Sequence, residues 1–115
     1  MPFTIKQSAS FWWPVRVTYP TDHGKYKTET FDGEFKRLSQ PEVQALAQRV
    51  ESGETSADEL VRELLTNWTG ITDGENEVEF SQYALDQLLA IPLVANAVLT
   101  AFLDSYTGGQ NKRKN

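Results

Sequence analysis

Residues 11–38, FWWPVRVTYPTDHGKYKTETFDGEFKRL, decide how this chain folds. Phe11, Trp13, Val15, Val17 and Tyr19 fall on one side of an alternating pattern, with Trp12, Pro14, Arg16 and Thr18 on the other. Period two over nine residues is the signature of a half-buried strand. Pro14 cannot donate a ladder hydrogen bond, which places this strand at an edge or at a bulge. PTDHGK supplies turn chemistry through Pro20, Asp22 and Gly24. The chain then returns as a second strand rich in threonine and aromatics, with Phe31 and Phe35 on one side and Gly33 between them marking a kink or bulge. The segment is a β-hairpin. Two strands alone are marginal in water, so it must lie on another layer.

Downstream of the hairpin the period changes to 3.6. Ser39 and Glu42 form an S-x-x-E capping box with Pro41 in the first turn. Val43, Leu46, Ala47 and Val50 follow as a helical stripe, and Gly53 ends it. Ser56 and Glu59 repeat the box. Ala57, Leu60, Val61, Leu64 and Leu65 make a second stripe, which Trp68 extends by one turn. Ser81 caps a short third helix carrying Leu85, Leu88 and Leu89. Pro92 opens a fourth that runs to about Tyr106, where Gly108-Gly109 release the chain. The expectation is an α+β fold, an N-terminal antiparallel β-hairpin packed on a bundle of about four helices. It comprises a flexible N-terminus (1–10), a single domain (11–107) and a flexible basic tail (108–115).

The fourth helix is apolar nearly all round. Asn96, Thr100 and Asp104 form one narrow polar stripe, and Leu93, Val94, Ala97, Val98, Leu99, Ala101, Phe102, Leu103 and Tyr106 cover most of the rest. Such a helix is buried on more than one side, either at the centre of its own domain or between that domain and a partner. The partner-facing candidates are Leu99, Phe102, Leu103 and Tyr106 on this helix, and Trp12 and Trp13 on the hairpin, because aromatic side chains are enriched among interface anchors. Ordinary core packing is the competing role for each.

Several function classes are disfavoured by composition. The 115 residues carry a net charge of −5. Residues 1–110 hold 8 Lys/Arg against 16 Asp/Glu, and three basic residues close the chain in KRKN. An acidic body repels phosphate backbones, so no nucleic-acid partner is expected. There is no cysteine, hence no disulfide or thiol chemistry, and MPFTIKQSAS has no continuous apolar run of the signal-peptide kind. Both fit a cytoplasmic protein. Residues 87–103, QLLAIPLVANAVLTAFL, are uncharged, but a spanning helix needs about 20 apolar residues and this run is broken by Pro92. No membrane partner is expected.

Nor does the sequence assemble a catalytic site. The single His23 lies in the hairpin turn without a second His or Cys, so neither metal ligation nor triad chemistry has its parts. The acidic loop DGENEVE (73–79) sets Asp73, Glu75 and Glu77 at alternate positions, as in a calcium loop. Position six is Val78 rather than Gly, however, and position twelve is Ala84 rather than Glu. The expectation is no enzyme, no cofactor and no metal. Within NWTGITDGENEVEFS (67–81), Trp68 and Ile71 are read as packing the exit of the second helix. Gly70 permits the turn, residues 73–77 bulge into water, and Val78 and Phe80 return to the core.

These elements occur in a familiar order. F-x-x-x-F-K-R-L-S-Q (Phe31–Gln40) precedes N-W-x-G-I-x-D-x-x-x-x-V-x-F-S (Asn67–Ser81). L-x-x-L-L-x-I-P (Leu85–Pro92), an apolar last helix and G-x-x-K-x-K-N follow. Over residues 15–115 the chain resembles the tail assembly chaperones of long-tailed bacteriophages and prophages, departing in the longer, more acidic loop D-G-E-N-E. The resemblance implies a protein that coats the tape-measure protein in the bacterial cytoplasm, keeps it soluble, recruits tail tube subunits and is absent from the finished virion. It also implies a second, frameshifted length, for which an A-rich run encoding Lys112–Asn115 would be the slippery site. The alternative is a self-assembling tail or head-tail morphogenesis subunit whose hairpin edge pairs with another copy.

Overall fold

The computed structural model describes residues 2–107. It shows an N-terminal antiparallel hairpin followed by four helices, an α+β fold. Strands β1 (Ser10–Pro20) and β2 (Tyr26–Lys36) pair in unbroken register from Ser10–Lys36 to Pro20–Tyr26. The turn between them holds His23 at φ 61° and Gly24 at φ 73°. The core face is the one that alternation marks: Val15, Val17, Phe31 and Phe35 are buried, and Arg16, Thr18, Thr28 and Thr30 face water. Pro14 lies on β1, an edge strand of the sheet, as its missing donor requires.

One element departs from the sequence reading. The second helix, α2, ends at Leu64, and Leu65–Thr69 is a strand, β3, paired antiparallel with β2. The sheet therefore has three strands in the order β1-β2-β3. The register slips between Glu34 and Phe35, one step past Gly33. Gly33 faces Trp68 and Phe35 faces Leu65, so Thr66 is extra, and its hydroxyl donates to the Glu34 carbonyl. A bulge of this kind puts residues three apart on one face, which a plain strand cannot do. Leu65 and Trp68 are both buried for that reason. Gly33 lets the layers close: a Cβ there would sit 2.8 Å from Leu65 Cδ1 and 3.2 Å from the Phe35 ring.

Helix α1 (Gln40–Ser52) and α2 (Ala57–Leu64) each begin with a complete capping box, at Ser39/Glu42 and Ser56/Glu59. Gly53 closes α1 in the left-handed conformation at φ 73°. The bidentate pair of Arg49 with Glu63, 2.7 Å at its shorter contact, ties α1 to α2, and Arg62 meets Asp86 at 2.7 Å. Helix α3 (Gln82–Leu89) is capped by Ser81, whose hydroxyl accepts from Ala84 N–H. Helix α4 (Val94–Tyr106) starts two residues after Pro92, not at it. It packs on β1 and α2 and also touches α3. The Gly108-Gly109 exit and the basic tail lie outside the described residues.

A cluster of rings closes the core where α4 ends. Phe102 stacks on Phe11 (centroids 6.2 Å), lies tilted against Phe35 (5.4 Å) and meets Tyr106 edge-on (5.1 Å). The Tyr106 hydroxyl accepts the Leu38 N–H at 2.9 Å, which fixes the end of α4 to the start of α1. Arg37 lies 5.0 Å above the Phe11 ring and donates to the Ser8 carbonyl, so the chain just before β1 is held to the end of β2.

Candidate partner-binding groove

The partner candidates read from the sequence are scattered by the fold. Leu99 and Phe102 are buried, because α4 is covered by β1 and by α2 at once. They offer no surface in the folded chain, and the expectation that Leu99 faces away from the core is corrected. Leu103 and Tyr106 are half-buried and packed against the core, Tyr106 being committed to its hydrogen bond with Leu38. Trp13 is half-buried, and its indole Nε1 is buried without a hydrogen-bond partner among the described residues. Trp12, 47% exposed on the outer face of β1, is the one candidate open to solvent.

The turn between α3 and α4 is one of the places where large apolar side chains stay exposed, with Phe3, Ile5, Tyr26 and Tyr83 elsewhere. Ile91 is 50% exposed and Leu93 49%. The α3 and α4 axes differ by 103°, and the break contains Pro92, which has no N–H to continue a helix. Leu93 sits at φ 79°, a left-handed conformation that costs a residue with a Cβ roughly 1–2 kcal/mol. About half of its surface stays exposed, and it lines the smaller of two grooves beside this turn, so burial offsets that strain only in part. No side chain caps α4 at this end. Sequence reasoning assigned Leu93 to the apolar wall of the helix. The signal it lacked was the left-handed φ, which no residue type at this position announces.

Two grooves flank this turn. The larger, about 570 Å³, lies between the inner face of the hairpin (Val17, Tyr19, Phe31), the loop after β3 (Gly70, Ile71, Thr72) and the helical corner (Leu88, Ile91, Val94). Glu29 and Thr30 supply the polar part of its rim. The smaller, about 290 Å³, lies between Pro14, Arg16 and Thr18 of β1 and the polar stripe Asn96, Thr100 and Asp104 of α4. The stripe thus lines a surface cleft, with Asp104 its buried member. An apolar trough with a thin polar rim suits apolar side chains from another polypeptide.

The acidic loop is built as a closed turn. The Asp73 carboxylate accepts the N–H groups of Glu75 and Asn76, and these backbone hydrogen bonds, Asn76 first, hold its pKa below the ordinary aspartate value. Gly74 at φ 111° and the Thr72–Glu77 bridge complete it. Trp68 anchors the base of the loop from β3, not from a helix end: its indole donates to the Val78 carbonyl at 2.7 Å and its ring meets Phe80 edge-on at 5.0 Å. Among the described residues no three His, Asp or Glu side chains converge as metal ligands. No single helix among them is long and apolar enough to cross a membrane. Compared with family models, curated proteins and solved structures, the chain matches none.

Proposed function

We propose that this protein is a tail assembly chaperone of a long-tailed phage or prophage, holding an apolar, helix-rich tape-measure protein in solution and bringing tail tube subunits to it. The observation that supports the reading is the half-exposed Ile91 in the wall of the larger apolar groove, next to the strained Leu93, which lines the smaller cleft on the other side of the turn. Exposed apolar side chains at a strained turn are costly to the isolated chain and useful to one that binds. The docking mode is helix-in-groove, with client side chains entering between Phe31, Ile71 and Leu88. This moves the contact surface from the flank of α4 to the corner where α4 begins. The acidic body adds solubility to the complex.

Co-expression with the gene product encoded immediately downstream, the client this reading expects, tests this. Wild-type chain keeps that client in the soluble fraction, and the double variant Ile91→Glu/Leu93→Glu, altered only at exposed positions, loses it while retaining the wild-type circular dichroism spectrum. A client that stays insoluble beside the wild-type chain, or stays soluble beside the variant, removes the proposal.

A further inference from the structure

The hairpin is longer than the sheet it belongs to. β2 pairs with β1 from Tyr26 to Lys36, but with β3 only from Asp32 to Phe35, because β3 leaves the sheet at Gly70 (φ 90°). The edge of β2 over Tyr26–Thr30 is therefore open, and all five residues are exposed. The orientation of its peptide groups follows from the turn. Thr21 N–H donates to the Lys25 carbonyl at 2.7 Å, so odd-numbered residues of β2 bond to β1 and even-numbered ones point away. Pro14 opposite Asp32 agrees, since an even pair needs no donor on the β1–β2 side. Tyr26, Thr28 and Thr30 thus present N–H and C=O groups outward, with no backbone partner among the described residues.

We propose that this edge pairs antiparallel with the same edge of a second copy, about a two-fold axis at Thr28. The sequence Y-K-T-E-T is complementary to itself in that register. Lys27 of each copy falls opposite Glu29 of the other, Tyr26 opposite Thr30, and Thr28 opposite Thr28. Within one chain Lys27 and Glu29 already lie 3.4 Å apart, both with side chains 59% exposed, so each is free to turn to the partner strand. On the other face, Thr18 and Thr28 share a hydroxyl hydrogen bond of 2.8 Å, which the pairing extends into a four-threonine row across the axis.

Neighbouring registers fail. Centring on Tyr26 sets Lys27 against Lys25, and like charges directly opposed are destabilising. Centring on Thr30 drives the second strand onto Asp32 and Glu34, which Thr69 and Asn67 already hold. The Thr28 register alone fills the open row and stops where β3 begins. It closes the five-residue stretch of β2 that has no partner on this side among the described residues, the kind of stretch by which an edge strand invites uncontrolled pairing. The edge shares Glu29 and Thr30 with the rim of the client groove, but its test reads mass and not client solubility, so the dimer can fail while the chaperone reading stands, and the reverse.

Charge reversal and rescue test it, read as mass in a sedimentation concentration series. The wild-type chain rises from 13.0 kDa toward twice that value. Lys27→Glu and Glu29→Lys each weaken dimerisation roughly tenfold or more, since each creates two like-charge contacts at the axis. The combined Lys27→Glu/Glu29→Lys chain restores it. Glu29→Lys is diagnostic, because it lowers the net negative charge and a non-specific association would strengthen. The chain has no cysteine, so Thr28→Cys introduces one thiol at the axis, within disulfide reach of its mate, and cross-links on oxidation. Thr18→Cys, one strand further out and about 14 Å from its mate, does not. A wild-type mass of 13.0 kDa up to the solubility limit, a charge-swapped chain that stays monomeric, or equal cross-linking of the two cysteine variants overturns the proposal.

Discussion

Helices α1 and α4 are each 13 residues long and are built on opposite principles. α1 has every local signal a helix can have: a reciprocal capping box, a first-turn proline, a left-handed glycine stop and Arg49 in its last turn. It buries one residue, Leu46. α4 begins at a strained leucine with no side-chain cap, yet buries six residues. Local hydrogen bonds hold α1 in shape at the rim, whereas α4 is held by what lies on either side of it. Burial dominates helix stability in proteins, and capping decides where helices begin and end. The pair separates the two effects within one molecule.

Substitutions should break that contrast in a definite order. The largest effect belongs to Phe102→Ala, which empties the centre of the ring cluster. About 3–5 kcal/mol of unfolding free energy is lost, read as the midpoint of a denaturant titration. A loss below 1 kcal/mol, on the scale of surface substitutions, would mean α4 is not the core helix. Leu46→Ala removes the one buried side chain of α1 and costs about 2 kcal/mol, the low end for leucine, because the site borders solvent. Ser39→Ala costs about 1 kcal/mol and shows first as faster amide exchange at the start of α1. Equal acceleration in α4 would show that the two helices open together. Val50→Glu, at a 41% exposed position of the α1 stripe, changes stability by less than about 0.5 kcal/mol.

Acid sharpens the same contrast. The Glu42 carboxylate accepts the Ser39 backbone N–H and interacts with its hydroxyl, and these bonds lower its pKa from the ordinary 4.5. Glu63 is lowered chiefly by its hydrogen bond with Arg49. A carboxyl depressed in the folded state contributes stability that is fully present above its unfolded pKa and is lost as pH falls through the folded value. α1 should therefore loosen below about pH 4.5 before α4, which is held mainly by apolar burial against β1 and α2. Carboxyl NMR titration of Glu42 and Glu63 beside amide exchange reads both parts. An ordinary Glu42 titration would sever the link between cap and pH.

Much of this arrangement is written in residue order. Alternation sets both hairpin faces, and Pro14 marks an edge. The two S-x-x-E boxes, Gly53 and Ser81 locate helix boundaries to within a residue, because caps act through hydrogen bonds among neighbours in the chain. β3 is not legible in the same way. Leu64, Leu65 and Trp68 fit a helical stripe as well as they fit a bulged strand, since the extra residue Thr66 turns the strand period into a spacing of three. Threonine and tryptophan in T-N-W-T favour a strand, but only the free side of β2 over Asp32–Phe35 makes one possible.

The candidate groove divides along the same line. Sequence composition established that apolar residues crowd the last helix. It did not establish where any would remain uncovered, because exposure depends on which elements arrive on each side. β1 and α2 enclose Leu99 and Phe102, and the turn at the left-handed Leu93 leaves Ile91 and Leu93 half-exposed at the helical corner. Sequence alone determined the local geometry, through short-range sterics and capping bonds. The tertiary structure decided the third strand and the exposed surface, because both are set by contacts between residues far apart in the chain.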